Sequence, residues 1–264
     1  MRKKGERDTV KLKAYLLNEG RSVKIKGPEA FDLIKTKCSK MYKTVKNEFT
    51  WIYRGLDIIQ GDFYMVDPTK GHERESRNTT NHYTLLMDNL KAWSKYPKRG
   101  KSIICSTDVS KAKGYGYSGN TFRVFPYDNA KIGLAPERDI WDSFGYISRY
   151  FDTADGFNFH LNQEDVMDTS WAVLKKGIER LQIKVNRDRK GFYDNNNLIN
   201  RYVEDYMDRG ISIMDFITEI LDPSINGFKI VKPGTPMPIK REVWVGNAPS
   251  VLITSIHAAK LTGK

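Results

Sequence analysis

The sequence has few cysteines, no long apolar run and no secretory signal, and each of these features argues against a class of protein. Its 264 residues contain only two cysteines, Cys38 and Cys105, which we interpret as reduced, buried thiols of a cytosolic protein rather than a disulfide framework. No apolar run approaches the roughly 20 residues of a membrane-spanning helix. The N-terminus, MRKKGERDTVKLK, is charged and unlike a secretory signal. We therefore expect a cytoplasmic protein without a membrane partner.

Several motifs that would define a catalytic class are also missing. The sequence has no GxSxG or Walker motif. Its four histidines show no metal-ligand spacing with each other or with the cysteines. Gly114, Gly116 and Gly119 indicate a flexible turn rather than a dinucleotide fingerprint, because no βαβ pattern follows them. We therefore expect no metal site.

Acidic residues are few relative to basic ones, since 44 Lys and Arg against 32 Asp and Glu give a net charge of +12. Residues 91–113 hold seven Lys or Arg and one acid, whereas residues 134–168 hold eight acids and two arginines. Such asymmetry favours an anionic partner for the basic side. The candidate contacts to nucleic acid or to an acidic acceptor are Lys95, Lys98, Arg99 and Lys101. The alternative is a solvated, lysine-rich surface.

Apolar periodicity predicts a mixture of helices and strands. The expected helices span 28–47, 83–93, 168–184, 196–210 and 212–222, and the expected strands span 49–56, 102–106, 121–125, 227–231, 242–245 and 251–256. Strands flank a helical segment without βαβ alternation, which favours an α+β fold with a mostly antiparallel sheet. We expect a single domain over 1–264, with a helical part in 1–48 and a mostly helical insert over 134–222.

Three β-prone segments carry polar residues of complementary chemistry. WIYRGL contains Arg54, and a guanidinium is suited to gripping a phosphate. SIICST ends in Ser106 and Thr107, whose hydroxyls can bond a ribose. REVWV contains Glu242, whose carboxylate can stabilise a positive sugar centre. An enzyme that splits the glycosidic bond of NAD needs these three functions.

Each of these residues also has a plain structural alternative. The arginine suits a surface ion pair, and the serine–threonine pair suits the cap of a following helix. Glu242 suits a strand-edge ion pair with Lys240 or Arg241. These alternatives stay open for any one residue taken by itself.

Taken in order, WIYRG, ICST and KREVWV resemble the arginine–serine–glutamate branch of the ADP-ribosyltransferases. CSTDVSKAKGYG followed by TFRVFPYDNAKIG is similar to ADP-ribosyltransferases encoded by tailed phages. The resemblance implies a split antiparallel β-sandwich with a helical insert, holding NAD in its cleft. It also implies an NAD-dependent mono-ADP-ribosyltransferase acting in the host cytoplasm, delivered there with the virion as one route. The partner is then a macromolecular acceptor, either a host protein or a nucleic acid.

The resemblance assigns a role to each matching residue. Arg54 matches the arginine that holds the NAD phosphates and the nicotinamide ribose. Gly55 matches the position whose backbone binds the nicotinamide amide. Ser106 matches the first serine of a Ser-Thr-Ser motif, and Glu242 matches the catalytic glutamate.

Thr107 matches the threonine of the same motif, and Tyr115 or Tyr117 is placed to stack on nicotinamide. The chain departs from the family pattern at two positions. Asp108 stands where the motif has its second serine, and Lys240 stands where arginine-modifying members carry Glu or Gln. The second departure makes an arginine acceptor doubtful and leaves open a catalytically silent copy.

A different class of function also fits the composition. The charge of +12 and the aromatic residues among the lysines, such as Trp93 and Tyr96, suit a basic nucleic-acid-binding or virion protein without catalysis. The two functions differ over Glu242, which binding alone does not need.

Overall fold

The computed structural model describes residues 21–47, 51–56, 61–71, 82–116, 120–144, 170–189 and 197–263. Within these ranges the protein is a mixed α+β structure in which nine strands form one sheet with antiparallel neighbours. The strands are β1 (Arg21–Lys24), β2 (Tyr53–Leu56), β3 (Phe63–Asp67), β4 (Ser102–Ser106), β5 (Asn120–Pro126), β6 (Lys131–Leu134), β7 (Lys229–Val231), β8 (Glu242–Gly246) and β9 (Ser250–Thr254). Their order across the sheet is β1-β3-β9-β5-β2-β4-β8-β6-β7.

Eight α-helices accompany the sheet in the same ranges. They are α1 (Gly27–Thr36), α2 (Ser39–Asn47), α3 (His82–Asn89), α4 (Val109–Lys113), α5 (Trp171–Arg187), α6 (Asn197–Asp205), α7 (Ile213–Ile220) and α8 (Ser255–Thr262). Short 3₁₀ turns occur at Lys91–Trp93, Arg99–Lys101, Trp141–Ser143 and Met207–Arg209. None of the helices in the described ranges is both long and apolar enough to cross a membrane.

The chain divides into two compact units. A sheet unit contains 1–74, 96–140 and 228–264, and a helical unit contains 75–95 and 141–227. The core of the sheet unit lies between the strands and the helices α1, α2 and α8, where Ile34, Met41, Val243, Val251 and Ala258 are buried. Both cysteines are buried, as predicted.

The helical unit has its own core. The apolar faces of α5 and α7 bury Leu174, Ile178 and Phe216. A polar side chain of α5 links it to α6 and α7, because Gln182 donates to the hydroxyl of Tyr202 at 2.8 Å and accepts from the Ile213 amide at 2.6 Å.

The prediction of one helix over 28–47 is wrong, because the helix breaks in two. The amides of Lys37 and Cys38 both donate to the Leu33 carbonyl, which closes α1. Asp128, far along the chain, accepts from the Ser39 hydroxyl at 2.6 Å and the Lys40 amide at 2.9 Å. This carboxylate caps the start of α2, and a distant cap of this kind leaves no local sequence signal.

The expected strand over 102–106 is confirmed, and the other predicted strands are found with shifted ends. The strand expected over 251–256 stops at Thr254, where α8 begins. Four elements were not predicted, namely β1, β3, β6 and α8, and α4 was considered only as the helix that Ser106 and Thr107 would cap. Leu134, expected to open the helical insert, belongs to β6, and β1 lies within the part expected to be helical over 1–48.

Candidate functional site

The fold brings the three motif segments onto three neighbouring strands. β4 lies between β2 and β8 in the middle of the sheet. Ser106 is paired with Tyr53 on one side and with Glu242 on the other. Residues directly opposite each other on antiparallel strands project to the same face, so Ser106 and Glu242 are neighbours although 136 positions separate them.

Arg54 is buried, and its guanidinium reaches toward β4. Its Nη1 donates to the Ile104 carbonyl at 2.8 Å, two residues before Ser106. The guanidinium carbon lies 5.1 Å from the centre of the Tyr115 ring, within the range of a cation–π contact. The interpretation of Arg54 as a surface ion-pair residue does not fit this burial.

Tyr115 lies beside Arg54, and its ionisation depends on the surrounding charges. Burial raises its pKa, and the negative charges of Glu242 and Asp139 raise it further, while Arg54 and Arg99 act in the opposite direction. Because its pKa is raised, Tyr115 is a neutral phenol at physiological pH, and its ring lies over the Arg54 guanidinium.

Glu242 is 2% exposed, and both of its carboxylate oxygens accept hydrogen bonds. Oε1 accepts from Nε1 of Trp244 at 2.6 Å and from Nη2 of Arg99 at 3.4 Å. Oε2 accepts from the Ile140 amide at 3.3 Å. Val243 belongs instead to the apolar core, so Glu242 and Trp244 share the other face of β8, as the alternation of the strand predicts.

Glu242 does not form the ion pair with Lys240 or Arg241 that was considered as its structural alternative. β8 is a central strand, and the cation that pairs with Glu242 is Arg99. Arg241 pairs with Glu137 at 3.8 Å instead. Lys240 is exposed and has a φ of 59°, in the left-handed region that non-glycine residues seldom adopt.

The loop that follows β6 holds the backbone of Glu242. The amide of Glu242 donates to the Glu137 carbonyl, and its carbonyl accepts from the Ala135 amide, both at 3.0 Å. The Ile140 amide in the same loop binds the carboxylate. This segment was expected to belong to the helical insert, and its contacts with Glu242 were not predicted from the sequence.

The hydroxyls of Ser106 and Thr107 fasten the segment that leads into β8. Ser106 Oγ donates to the Arg241 carbonyl at 3.2 Å, and Thr107 Oγ1 donates to the Pro238 carbonyl at 2.8 Å. Thr107 Oγ1 also accepts from the Arg241 amide at 2.9 Å. Ser106 Oγ also accepts from the Asp108 amide at 3.0 Å, just before α4, but the side chain that accepts from the first amides of α4 is that of Asp108 rather than of this pair.

Asp108 is the residue that caps α4. Its Oδ1 accepts from the Ser110 amide at 2.8 Å and from the Lys111 amide at 3.4 Å. Its other oxygen pairs with Nε of Arg138 at 2.9 Å. The aspartate that departs from the Ser-Thr-Ser pattern therefore has a structural role, which serine also performs at helix N-termini.

Gly55 lies under α4 in a space that admits no side chain. A Cβ at this position would be 2.1 Å from the Ala112 carbonyl oxygen and 3.0 Å from the Gly116 amide nitrogen. Glycine is therefore required here by the close approach of the chain itself.

The basic candidates separate into two kinds. Lys95, in the helical unit, is exposed, and so are Lys98 and Lys101 in the sheet unit. Arg99 is 9% exposed and faces Glu242 and the ring of Trp244, which leaves it poorly placed to contact a nucleic acid. Tyr117 lies outside the described residues. In the described part of the chain, no cluster of His, Cys, Asp and Glu is suited to hold a metal ion.

Comparison with known proteins yields no relative: no family, no curated protein and no solved structure matches the chain. The features that bear on function are the geometry of Arg54, Ser106, Tyr115 and Glu242 and the resemblance of their sequence motifs.

Proposed function

We propose that the protein is an NAD-dependent mono-ADP-ribosyltransferase of the arginine–serine–glutamate type, with the α+β fold of that class. One observation carries the proposal: three residues distant in sequence, Arg54, Ser106 and Glu242, lie on the adjacent strands β2, β4 and β8. Ser106 and Glu242 are directly paired, and Arg54 follows Tyr53, the residue paired with Ser106 on the other side. This adjacency supports the choice of the three motifs for a phosphate, a ribose and a positive centre.

The reaction assigns one task to each group. The bond between the nicotinamide nitrogen and the ribose C1′ breaks, and nicotinamide leaves with the bonding electron pair. A nucleophilic atom of the acceptor, or water, then bonds to C1′ and gives up its proton. Glu242 stabilises the positive charge that develops on the ribose, Arg54 binds the diphosphate, and Ser106 orients the ribose.

The side chains at the candidate site match the chemical groups of NAD. The contacts that they make within the protein restrict how NAD can bind. Arg54 offers a guanidinium, Ser106 a hydroxyl and Glu242 a carboxylate, which match a diphosphate, a ribose and a developing cation. The Tyr115 ring lies over the Arg54 guanidinium at 5.1 Å. In the proposed enzyme, the Tyr115 ring either moves away from Arg54 so that the diphosphate can bind there, or stacks on the nicotinamide ring.

The proposed acceptor is a macromolecule, a host protein or a nucleic acid, and the proposed place of action is the host cytoplasm. Lys240 occupies the position at which arginine-modifying members of the resembled family carry Glu or Gln. A lysine there does not draw a proton from a guanidinium, so an acceptor other than arginine is the better fit.

The test of this function is NAD binding by calorimetry, followed by nicotinamide release. We expect Arg54→Ala to weaken NAD binding by about 2 kcal/mol or more, because it removes a charge-assisted contact to phosphate. Arg189→Ala is the matched control, since that arginine pairs with Asp208 on the surface of the helical unit. A wild-type protein that does not bind NAD, or a folded Arg54→Ala protein with unchanged affinity, refutes the proposal.

A second candidate is a basic nucleic-acid-binding or virion protein without catalysis. The observation that favours it is that Arg54, Ser106 and Glu242 are all buried with partners inside the protein. Lysines such as Lys98 and Lys101 are meanwhile exposed. Incubation with labelled NAD and a host extract separates the two functions, because only the transferase passes label to a macromolecule.

A further inference from the structure

We infer that Arg99 is a positioning residue that holds the Glu242 carboxylate in its working orientation, an inference that rests on the proposed transferase function. Arg99 lies in the 3₁₀ turn that immediately precedes β4. Its sequence context, a lysine-rich run, gives no hint of an interior role. Its side chain is 10% exposed, and that of Glu242 is 3% exposed.

Three segments of chain converge on the one carboxylate. Arg99 and Trp244 both donate to Oε1, at 3.4 and 2.6 Å, while the Ile140 amide donates to Oε2 at 3.3 Å. A carboxylate held at both oxygens has a fixed plane. The indole defines the position of Oε1, and the guanidinium adds a positive charge at the same atom.

The guanidinium is itself held in place. Its central carbon lies 5.9 Å from the Trp244 ring, so the arginine contacts both the carboxylate and the indole that binds it. Arginine is planar and carries its donors in a rigid fork, unlike the mobile ammonium of lysine. The arrangement suits orientation of the carboxylate as well as compensation of its charge.

A buried ion pair is weak evidence of stabilisation, because an apolar pair of similar volume often serves a fold equally well. Stability by itself therefore gives no strong reason for a charged pair at this place. In the proposed reaction, Glu242 faces the ribose carbon as a charged group while buried, and Arg99 balances that charge. Arg99 does not touch substrate in this scheme and acts through Glu242.

The test compares Arg99→Met and Arg99→Lys in the full chain, alone and combined with Glu242→Gln, by steady-state nicotinamide release from NAD. We expect Arg99→Met to lower kcat at least tenfold while KM for NAD stays within twofold. Arg99→Lys should recover part of that loss, because it restores the charge without the fork. Arg189→Met, at the surface pair with Asp208, should leave both parameters unchanged.

The double variant separates positioning from folding. With glutamine at 242, Arg99 has no carboxylate to hold, so Arg99→Met should cause no further fall in kcat. The double variant should also melt at a higher temperature than Glu242→Gln alone, because it removes a buried cation left without its anion. An equal fall in kcat in both backgrounds would overturn the inference.

The remaining outcomes also decide the matter. An Arg99→Met protein that folds and keeps the wild-type kcat overturns the inference while leaving the transferase function intact. If Arg99→Met does not fold, Arg99→Lys decides: a lower kcat at unchanged KM supports positioning, and a wild-type kcat refutes it. A wild-type protein that neither binds nor cleaves NAD removes the proposed function, and the positioning role with it.

Discussion

Glu242 carries a negative charge inside the sheet unit, and its surroundings are built to compensate it. A charge buried without a partner costs several kcal/mol, but here two side chains and one backbone amide donate to the carboxylate. The same contacts suit both a structural glutamate and a catalytic one. The two roles can be distinguished by a substitution that removes the charge of Glu242 and keeps the shape of its side chain.

Glu242→Gln makes that separation. We expect it to lower the free energy of unfolding by about 3 kcal/mol, because Arg99 is left buried beside a neutral amide. If the protein is the proposed transferase, nicotinamide release should also fall roughly 100-fold or more, since the positive ribose loses its counter-charge. Thermal melts and a nicotinamide assay measure the two effects.

Glu137→Gln is the control for this change. Glu137 lies in the loop beside Glu242 and pairs with Arg241 at 3.8 Å, but its side chain is 54% exposed. Its substitution should change stability by less than about 1 kcal/mol and leave turnover intact. A Glu242→Gln protein that turns over NAD at the wild-type rate would reduce Glu242 to a buried structural residue.

At the scale of elements, α4 connects several parts of the site. It follows β4 directly, begins at the Asp108 cap and covers Gly55 of β2. Lys111 on this helix pairs with Asp139 at 2.5 Å, which ties it to the loop that holds Glu242. The short helix therefore joins Ser106, Gly55 and the Glu242 loop, and substitutions along it test how tightly the site is built.

Asp108→Ala should destabilise the protein by about 1 kcal/mol, because the first amides of α4 lose their acceptor. Asp108→Ser should be close to wild type, since serine caps as well as aspartate and the Arg138 side chain of the lost ion pair is 46% exposed. Chemical denaturation measures both. If serine and alanine are equally destabilising, the contribution of Asp108 lies in its pair with Arg138 rather than in the cap.

Gly55→Ala should destabilise by roughly 2 kcal/mol or more, because the added carbon would lie 2.1 Å from the backbone oxygen of Ala112. Gly114→Ala is the matched control. There the nearest atom to an added carbon is the Lys111 carbonyl oxygen, at 3.3 Å, so a change within about 0.5 kcal/mol is expected. A Gly55→Ala protein of wild-type stability would mean that α4 shifts away without cost.

Sequence periodicity predicted the elements whose signals are local and missed those that depend on distant partners. β4, SIICS, is apolar and β-prone, and it was located to the residue. β6 is four residues long with a central glycine and becomes a strand by pairing with β7 and β8. α1 and α2 were merged because the cap between them comes from Asp128.

The candidate site divides in the same way. Arg54, Ser106 and Glu242 were chosen by residue type and segment order, and they were found on adjacent strands. The shell around Glu242 could not be predicted. Arg99 lies in a lysine-rich run that is typical of an exposed surface. The Ile140 contact uses a backbone amide, which any residue other than proline supplies.

At the scale of the whole molecule, the net charge of +12 is the dominant electrostatic fact. An excess of this size attracts polyanions at low salt whatever the protein does with them. Total charge therefore says little about where a nucleic acid binds. A site is shown only if lysines at one place matter more than the same number of lysines elsewhere.

Two double variants of equal charge make this comparison within the sheet unit. Lys98→Gln with Lys101→Gln removes two exposed lysines beside β4, and Lys43→Gln with Lys46→Gln removes two exposed lysines from α2. If Lys98 and Lys101 contact phosphates, the first pair should weaken DNA or RNA binding. It should also lower the slope of log K against log salt by about 2, because each lost phosphate contact removes about 0.9 from the slope.

The second pair should leave both quantities close to wild type. Affinities measured across a salt series with single- and double-stranded DNA and RNA supply the data. Equal losses in the two double variants would mean that net charge alone attracts the nucleic acid, without a site beside β4. If the wild-type protein binds neither DNA nor RNA at low salt, these lysines belong to a solvated surface without a nucleic-acid partner. The nucleic-acid alternative would then lose its main support, and of the proposed acceptors a host protein would be favoured.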